Sequence, residues 1–158
     1  MKKLIAALLS LSMLAAMSTT ALAAEIDQDD DPQALDAVIT TSIAPTYTVT
    51  IPADTTVPFN AQQTSFGTIE VASAQIEPNK QIKVSLETDG ALINQADNTK
   101  TIPYTVNDEN GVFSSAVYAK AGDKTDLTIH ITQDDWNKAY AGSYSDTVTF
   151  TVSYESMN

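Results

Sequence analysis

Apolar residues alternate with polar ones in short runs along most of this chain, and this period of two constrains the fold more than any other feature. The clearest runs span residues 47–51, 82–86, 102–106 and 127–131. Successive side chains of a β-strand point to opposite faces, so each run predicts a strand with one buried face and one wet face. The buried positions are mostly Val, Ile and Tyr, which favour strands.

Turn-forming sequences separate these runs. Residues 107–111 (NDENG) and 121–124 (AGDK) are typical of hairpin loops, and weaker strands are expected over 64–71 and 112–118. With the terminal run described below, this makes about eight or nine short strands. The pattern predicts an all-β fold, an immunoglobulin-like antiparallel β-sandwich.

One short helical turn is expected within this β-rich chain. Thr132 and Asp135 have the spacing of a capping box, in which the first side chain caps the helix and the fourth residue reaches back. Trp136, the single tryptophan, would then lie on the helix with Tyr140 one turn later. We interpret Trp136 as a plug over one end of the core.

The N-terminus has the pattern of a secretory signal peptide. Lys2 and Lys3 precede an apolar run, and residues 21–23 (ALA) match the small-x-small pattern of a cleavage site. We therefore expect residues 1–23 to be a signal peptide, residues 24–34 a flexible acidic leader, and residues 35–158 one β-sandwich domain. The apolar run is too short for a membrane span, and no second one follows. The expected location is secreted or extracellular, with possible association with the cell surface.

Charge and composition exclude several classes of function. Twenty acidic residues face eight lysines, with no arginine, for a net charge of −12. Nucleic acid is therefore a very poor partner, because phosphate binding requires clustered Lys and Arg. The chain has no cysteine, so disulfides, thiolate metal sites and a lipid-anchored cysteine are excluded.

The chain also has few residues suited to catalysis. We therefore expect a non-enzymatic protein without cofactor or metal. His130 is the single histidine and falls on the polar side of its predicted strand. No serine lies in a Gly-x-Ser-x-Gly turn. Asp134 and Asp135 are adjacent and suit a helix N-terminus better than an acid–base pair. Weak calcium binding at residues 107–110 stays open.

The run over residues 35–43 is the most ambiguous. Its apolar set alternates as a strand until Pro45 interrupts it, and comprises Leu35, Ala37, Ile39, Thr41 and Ile43. The segment is either the first strand of its own domain or a strand donated to a neighbouring copy.

The C-terminal run AYAGSYSDTVTFTVSY, residues 139–154, resembles the end of known sandwich domains. Tyr144, behind Ala141-Gly142, resembles the tyrosine corner of immunoglobulin-type domains, in which the hydroxyl bonds back to the main chain. Asp146 stands where antibodies have cysteine. The alternation of Val148, Phe150, Val152 and Tyr154 predicts one strand with its apolar side facing in.

The same run resembles the C-terminal strand of secreted bacterial pilin-like proteins, including spore coat protein U-type domains. The segment YTVTIPA, residues 47–53, is similar to the first core strand of Gram-positive surface adhesin domains. The resemblance implies a sandwich lacking its last strand, whose groove is filled by a neighbour's N-terminal segment. Expected partners are other copies of the chain, or cell-surface proteins and glycans.

We therefore expect a secreted cell-surface structural or adhesive β-sandwich protein, such as a fibre or pilus-like subunit. The alternative is a secreted carbohydrate-binding module in which Trp136 and Tyr140 stack against sugar rings.

Overall fold

The computed structural model describes residues 26–29, 34 and 36–157. The chain divides into two units between Thr41 and Ser42. The predicted signal peptide, six residues of the acidic leader and Leu35 lie outside the described residues. All strands and the helix assigned in the described residues belong to the unit that begins at Ser42.

Eleven strands and one helix make up the described part of this unit. In chain order they are β1 Thr46–Thr50, β2 Gln63–Gln75, β3 Lys80–Glu87, β4 Ala91–Asn94, β5 Thr101–Pro103, β6 Thr105–Asp108, β7 Gly111–Val112, β8 Ser115–Tyr118, β9 Lys124–His130, α1 Gln133–Lys138, β10 Tyr144–Ser145 and β11 Thr149–Ser156. The fold is all-β and sandwich-like, as the alternation predicts.

The strands form three antiparallel sheets. The largest has the order β1-β2-β9-β6-β7, and two three-stranded sheets have the orders β11-β3-β8 and β10-β4-β5. We call these the five-stranded sheet, the β3 sheet and the β4 sheet. The strands β1 and β11 are each the last strand of their sheets.

The core is formed by inward-facing side chains from several strands. The fully buried side chains are all aliphatic and come from β2, β3, β5, β6 and β9 together with the residue after β9; they are Ile69, Val71, Ile82, Val84, Ile102, Val106, Leu127 and Ile131. Burying an aliphatic side chain of this size contributes about 1.5–3 kcal/mol. Core packing and backbone pairing hold the sandwich without disulfides, since the chain has no cysteine.

Two predicted strands are divided in the structure. The run over 102–106 breaks at Tyr104, whose N–H donates to the Gly90 carbonyl (2.8 Å), so β5 joins the β4 sheet while β6 joins the five-stranded sheet. The C-terminal run breaks at residues 146–148 into β10 and β11, which also lie in different sheets. Alternation cannot reveal such breaks, because both halves keep the same parity.

The first strand lies later than residues 35–43. No strand is assigned within residues 36–45, and β1 begins at Thr46. The register explains this boundary, because Thr46 pairs with Gln75, the last residue of β2. Beyond that pair, β2 has no further strand residue to offer an earlier segment.

The expected helical turn is present. In α1, the Thr132 hydroxyl accepts a hydrogen bond from the N–H of Asp135 (3.1 Å) and donates to its carboxylate (2.5 Å). The helix ends at Lys138 with Ala139 as its C-cap, so Tyr140 follows the helix rather than lying on it. No helix in the described part of the chain is long and apolar enough to cross a membrane.

Candidate functional site

One candidate site is the place where the strands β1 and β11 border each other, which we call the edge seam. The rings of Tyr47 in β1 and Tyr154 in β11 are 5.8 Å apart, and those of Phe66 and Phe150 are 5.9 Å apart. Both strands are terminal in their sheets. An edge strand presents backbone N–H and C=O groups that another strand can pair with. The seam therefore combines unpaired backbone with aromatic side chains.

The apolar side chains of the seam are incompletely covered. Val152 in β11 is 37% exposed, whereas its cross-strand partner Val84 in β3 is fully buried. Tyr47 and Ile51 on the β1 side are 37% and 44% exposed. Since paired residues on neighbouring strands point to the same face, the difference arises from position in the sheet. The core face continues to the seam and is left open there.

The residues of the predicted donor segment have no strand partner in the described structure. Ala37 and Thr41 are exposed, Ile39 is 97% exposed and Ile43 is 67% exposed. Leu35, the fifth member of the set, lies outside the described residues. Whether this segment is donated to another copy stays a prediction.

A second candidate site is a cavity of about 730 Å³ at the end of the sandwich, which we call the end cavity. It is bounded by the segment after β1, by the β4 sheet, and by the helix with the residues that follow it. Leu92 and Ile102 belong to the apolar part of its lining, and Ser145 and Asp146 belong to the polar part. A cavity of this size, largely apolar with a few polar groups, is typical of small-molecule sites.

Trp136 is a structural part of the cavity wall. It is 9% exposed, and its ring N–H donates to the carbonyl of Ala61 (2.9 Å). The ring of Phe59 meets it edge-on, with centroids 5.7 Å apart and planes at 77°. Trp136 thus ties the segment after β1 to the helix, as a plug would. It does not offer the open stacking face that the carbohydrate alternative assigns to it.

Tyr140, the other residue of that alternative, lies at the cavity and is 63% exposed. The ammonium of Lys100 lies over its ring, 4.9 Å from the centroid. A cation over an aromatic face is attracted by the ring quadrupole. At an exposed site such a contact contributes about 0.5–1 kcal/mol.

Hydrogen bonds fix the backbone that forms this end of the cavity. The Tyr144 hydroxyl donates to the carbonyl of Tyr140 (2.9 Å), four residues upstream, which is the bond expected of a tyrosine corner. Gly142 between them has a φ of +150°, and a Cβ added there would lie 2.5 Å from the amide nitrogen of Asn94. Asn94 is 4% exposed and accepts from the N–H groups of Ala96 and Asp97. The turn therefore requires glycine at position 142, because the Asn94 side chain occupies the space that a Cβ would need.

A further polar contact lies where the C-terminal run changes sheets. The Tyr104 hydroxyl donates to the Asp146 carboxylate (2.6 Å) and also lies 2.7 Å from the Thr88 hydroxyl. Burial, followed by the bond to the carboxylate, raises the pKa of Tyr104 to about 12. The contact links Asp146, where the C-terminal run leaves the β4 sheet, to Tyr104, where the run over 102–106 divides between β5 and β6.

The remaining candidate residues lie apart from both sites. His130 ends β9 and pairs with Gln63 and Thr105. Its neighbours Ile129 and Ile131 are buried, so it lies on the opposite face. Asp134 and Asp135 are in the first turn of α1. Among the described residues, no group of three or more acidic or histidine side chains could hold a metal ion.

Sequence reasoning did not identify Phe59 or the role of Asp146. Phe59 is 82% exposed in a segment without strand or helix, so no periodicity marks it. Asp146 has the same parity as Val148 and Phe150, so an acid on the apolar side of a regular run is the signal that could identify it. For Phe59 the signal is weaker, the pair Pro58-Phe59 within a long non-alternating stretch.

The chain matches no protein-family model, and a search of curated proteins finds no match.

Proposed function

We propose that this chain is a secreted, non-enzymatic structural or adhesive protein of the cell surface, which assembles with copies of itself by strand donation. In this assembly, residues 35–43 of one copy add to the edge seam of the next. The single observation that carries the proposal is the open core face at the seam, where Val152 is 37% exposed beside a fully buried Val84.

The acceptor side of the proposal is supported by the length and chemistry of β11. This strand has eight residues and is terminal in its sheet. An added strand would satisfy its free backbone groups and cover Val152, while its alternate side chains would enter the seam. Long uncovered edges favour aggregation, so a protein that retains one benefits from a defined occupant.

The donor side is supported by the pattern and exposure of residues 35–43. Their apolar set alternates as a strand requires, yet no strand is assigned to the described part, and Ile39 is 97% exposed. Moving a β-branched side chain from water into an apolar groove lowers the free energy of the system. The sequence before this segment is acidic, which is a composition expected of a tether.

The test uses two variants that should each block assembly from one side. Ile39→Asp places a charge on the donor face, and Val152→Lys places one in the acceptor seam. We expect the chain starting at Ala24 to form oligomers, measured by light scattering after size-exclusion chromatography, and each variant to remain monomeric. A mixture of the two variants should give dimers, since each retains one intact surface.

Val38→Asp is the matched control, because Val38 is 85% exposed and has the opposite parity in the same segment. It should assemble like the unchanged chain. A parent chain that stays monomeric at millimolar concentration, with the amides of residues 35–43 protected from hydrogen exchange, would rule out strand donation.

A further inference from the structure

The end cavity carries two aromatic rings that the fold holds in solvent. Phe59 is 82% exposed and Tyr140 is 63% exposed, although they come from distant parts of the chain. Each ring has one specific contact: the Phe59 ring packs at 77° to the ring of Trp136, and the ammonium of Lys100 lies over the Tyr140 ring. Exposed aromatic rings are suited to bind a flat apolar surface.

The charges around the cavity disfavour an ionic ligand of either sign. Lys100 lies 4.9 Å from the centre of the Tyr140 ring, so a cation stacked there would meet a like charge. Asp146 lines the same cavity, so an anion would meet its carboxylate. The chain as a whole is acidic, with a net charge of −12, which further disfavours anions.

Hydroxyl groups complete the lining. Thr55 and Thr56 lie on one side and Ser145 on the other. The Ser145 hydroxyl accepts from the Gln95 amide (2.6 Å), which leaves its own hydrogen available for a ligand. One oxygen of the Asp146 carboxylate already accepts from the Tyr104 and Thr88 hydroxyls. The other accepts from the Thr147 N–H and can take a further hydrogen bond from a ligand. The cavity therefore offers both donors and acceptors to an uncharged polar ligand.

We propose that the end cavity binds a neutral saccharide. The C–H face of a sugar ring would lie against Tyr140 and Phe59, and its hydroxyls would bond with Ser145, Asp146 and the threonines. A cavity of about 730 Å³ has room for more than one sugar ring, which suits the end of a polysaccharide chain. The site does not depend on Trp136 as a stacking surface.

Binding is measured with the full chain, expressed with residues 1–23 in place so that the host can process it. Calorimetry and Trp136 emission are recorded against soluble neutral polysaccharides (β-glucan, mannan, galactan), with alginate and chitosan as anionic and cationic comparisons. We expect binding to at least one neutral polymer, and at least tenfold weaker binding for Tyr140→Ala and for Phe59→Ala. Both side chains are largely exposed, so the melting temperature should change little.

Val117→Ala is the matched control, because Val117 is 56% exposed but lies on β8, in a different sheet. It should bind as the unchanged chain does. The Ile39→Asp chain, which cannot donate its strand, should also bind normally, so the saccharide site and the assembly can fail separately. Binding to charged polymers alone, no binding to any polymer, or binding that survives both aromatic substitutions would overturn the proposal.

Discussion

The end cavity and the edge seam differ in how far the chain encloses its own apolar side chains. At the end cavity, the chain is fixed by side-chain hydrogen bonds and by a turn around Gly142, and the opening is bounded on several sides. At the edge seam, β1 and β11 end their sheets with half-covered apolar side chains. A bounded cavity suits a small ligand, whereas an open edge suits another strand. The end cavity and the edge seam can therefore be tested by separate substitutions.

The largest effect is expected at the turn of the end cavity. Gly142→Ala combines an unfavourable φ of +150° with a Cβ 2.5 Å from the Asn94 amide, and a shift of Asn94 would disturb its bonds to Ala96 and Asp97. We expect the free energy of unfolding to fall by about 2–4 kcal/mol. Denaturant titration measures the loss.

Gly111→Ala is the control for this turn. Gly111 has a φ of +125°, and an added Cβ would meet nothing within 4 Å. Its substitution should therefore cost only about 1 kcal/mol, the backbone part of the effect. Equal losses at Gly142 and Gly111 would show that the approach to Asn94 is unimportant.

The second prediction tests the seam through one cross-strand pair. Val84→Ala should lower the free energy of unfolding by about 2–3 kcal/mol, because Val84 is fully buried in the centre of its sheet. Val152→Ala, its partner on β11, should cost less than about 1 kcal/mol in the monomer. The measurement is denaturant titration at a concentration where the chain is monomeric.

Assembly should increase the destabilising effect of the substitution at Val152. If a donated strand covers Val152, the same Val152→Ala substitution should weaken the oligomer more than it weakens the monomer. A similar loss for both valines in the monomer would mean that the seam is already closed.

The alternation of apolar and polar residues predicts the fold better than it predicts the candidate sites. The alternation over 82–86 and 127–131 correctly indicates strands, because burial of one face is a local property of the sequence. The capping residues Thr132 and Asp135 likewise mark the helix start by local chemistry. The fold class follows from these local signals.

The sites depend on contacts between distant residues, which periodicity does not record. The break at Tyr104 requires a bond to Gly90, and the turn at Asp146 requires the Tyr104 hydroxyl. The strand β4, Ala91–Asn94, has no alternation strong enough to be recognised and is identified only by its pairing with β5 and β10. Tyr140 was named from sequence, but its partner Phe59 was not.

The third prediction uses pH to test the anchor at Asp146. The pKa of Tyr104 is about 12 in the fold and 10.0 otherwise, so folding favours the protonated phenol. This contribution to stability is fully present below pH 10 and is lost as the pH rises through 12. We expect the unchanged chain to lose about 1–2 kcal/mol more than Tyr104→Phe over this interval, allowing for partial screening by solvent.

The measurement is the free energy of unfolding from denaturant titrations at pH 9, 10, 11 and 12. The other tyrosines and the lysines titrate in both proteins, so the difference between the two curves isolates Tyr104. Parallel curves would show that the Tyr104 phenol ionises as readily in the fold as in the unfolded chain.

The smallest effect is expected at the tyrosine corner. Tyr144→Phe removes the hydrogen bond to the Tyr140 carbonyl while leaving the half-buried ring in place. The loss should be about 1 kcal/mol, the net contribution of one such bond. Tyr140→Phe is the matched control, because it removes the hydroxyl of a 63% exposed ring and keeps the carbonyl that Tyr144 needs. Equal stability of the two variants would mean that the Tyr144 ring, and not its hydroxyl, holds the corner. A loss confined to Tyr144→Phe would show that the Tyr144 hydroxyl stabilises the turn beside the end cavity.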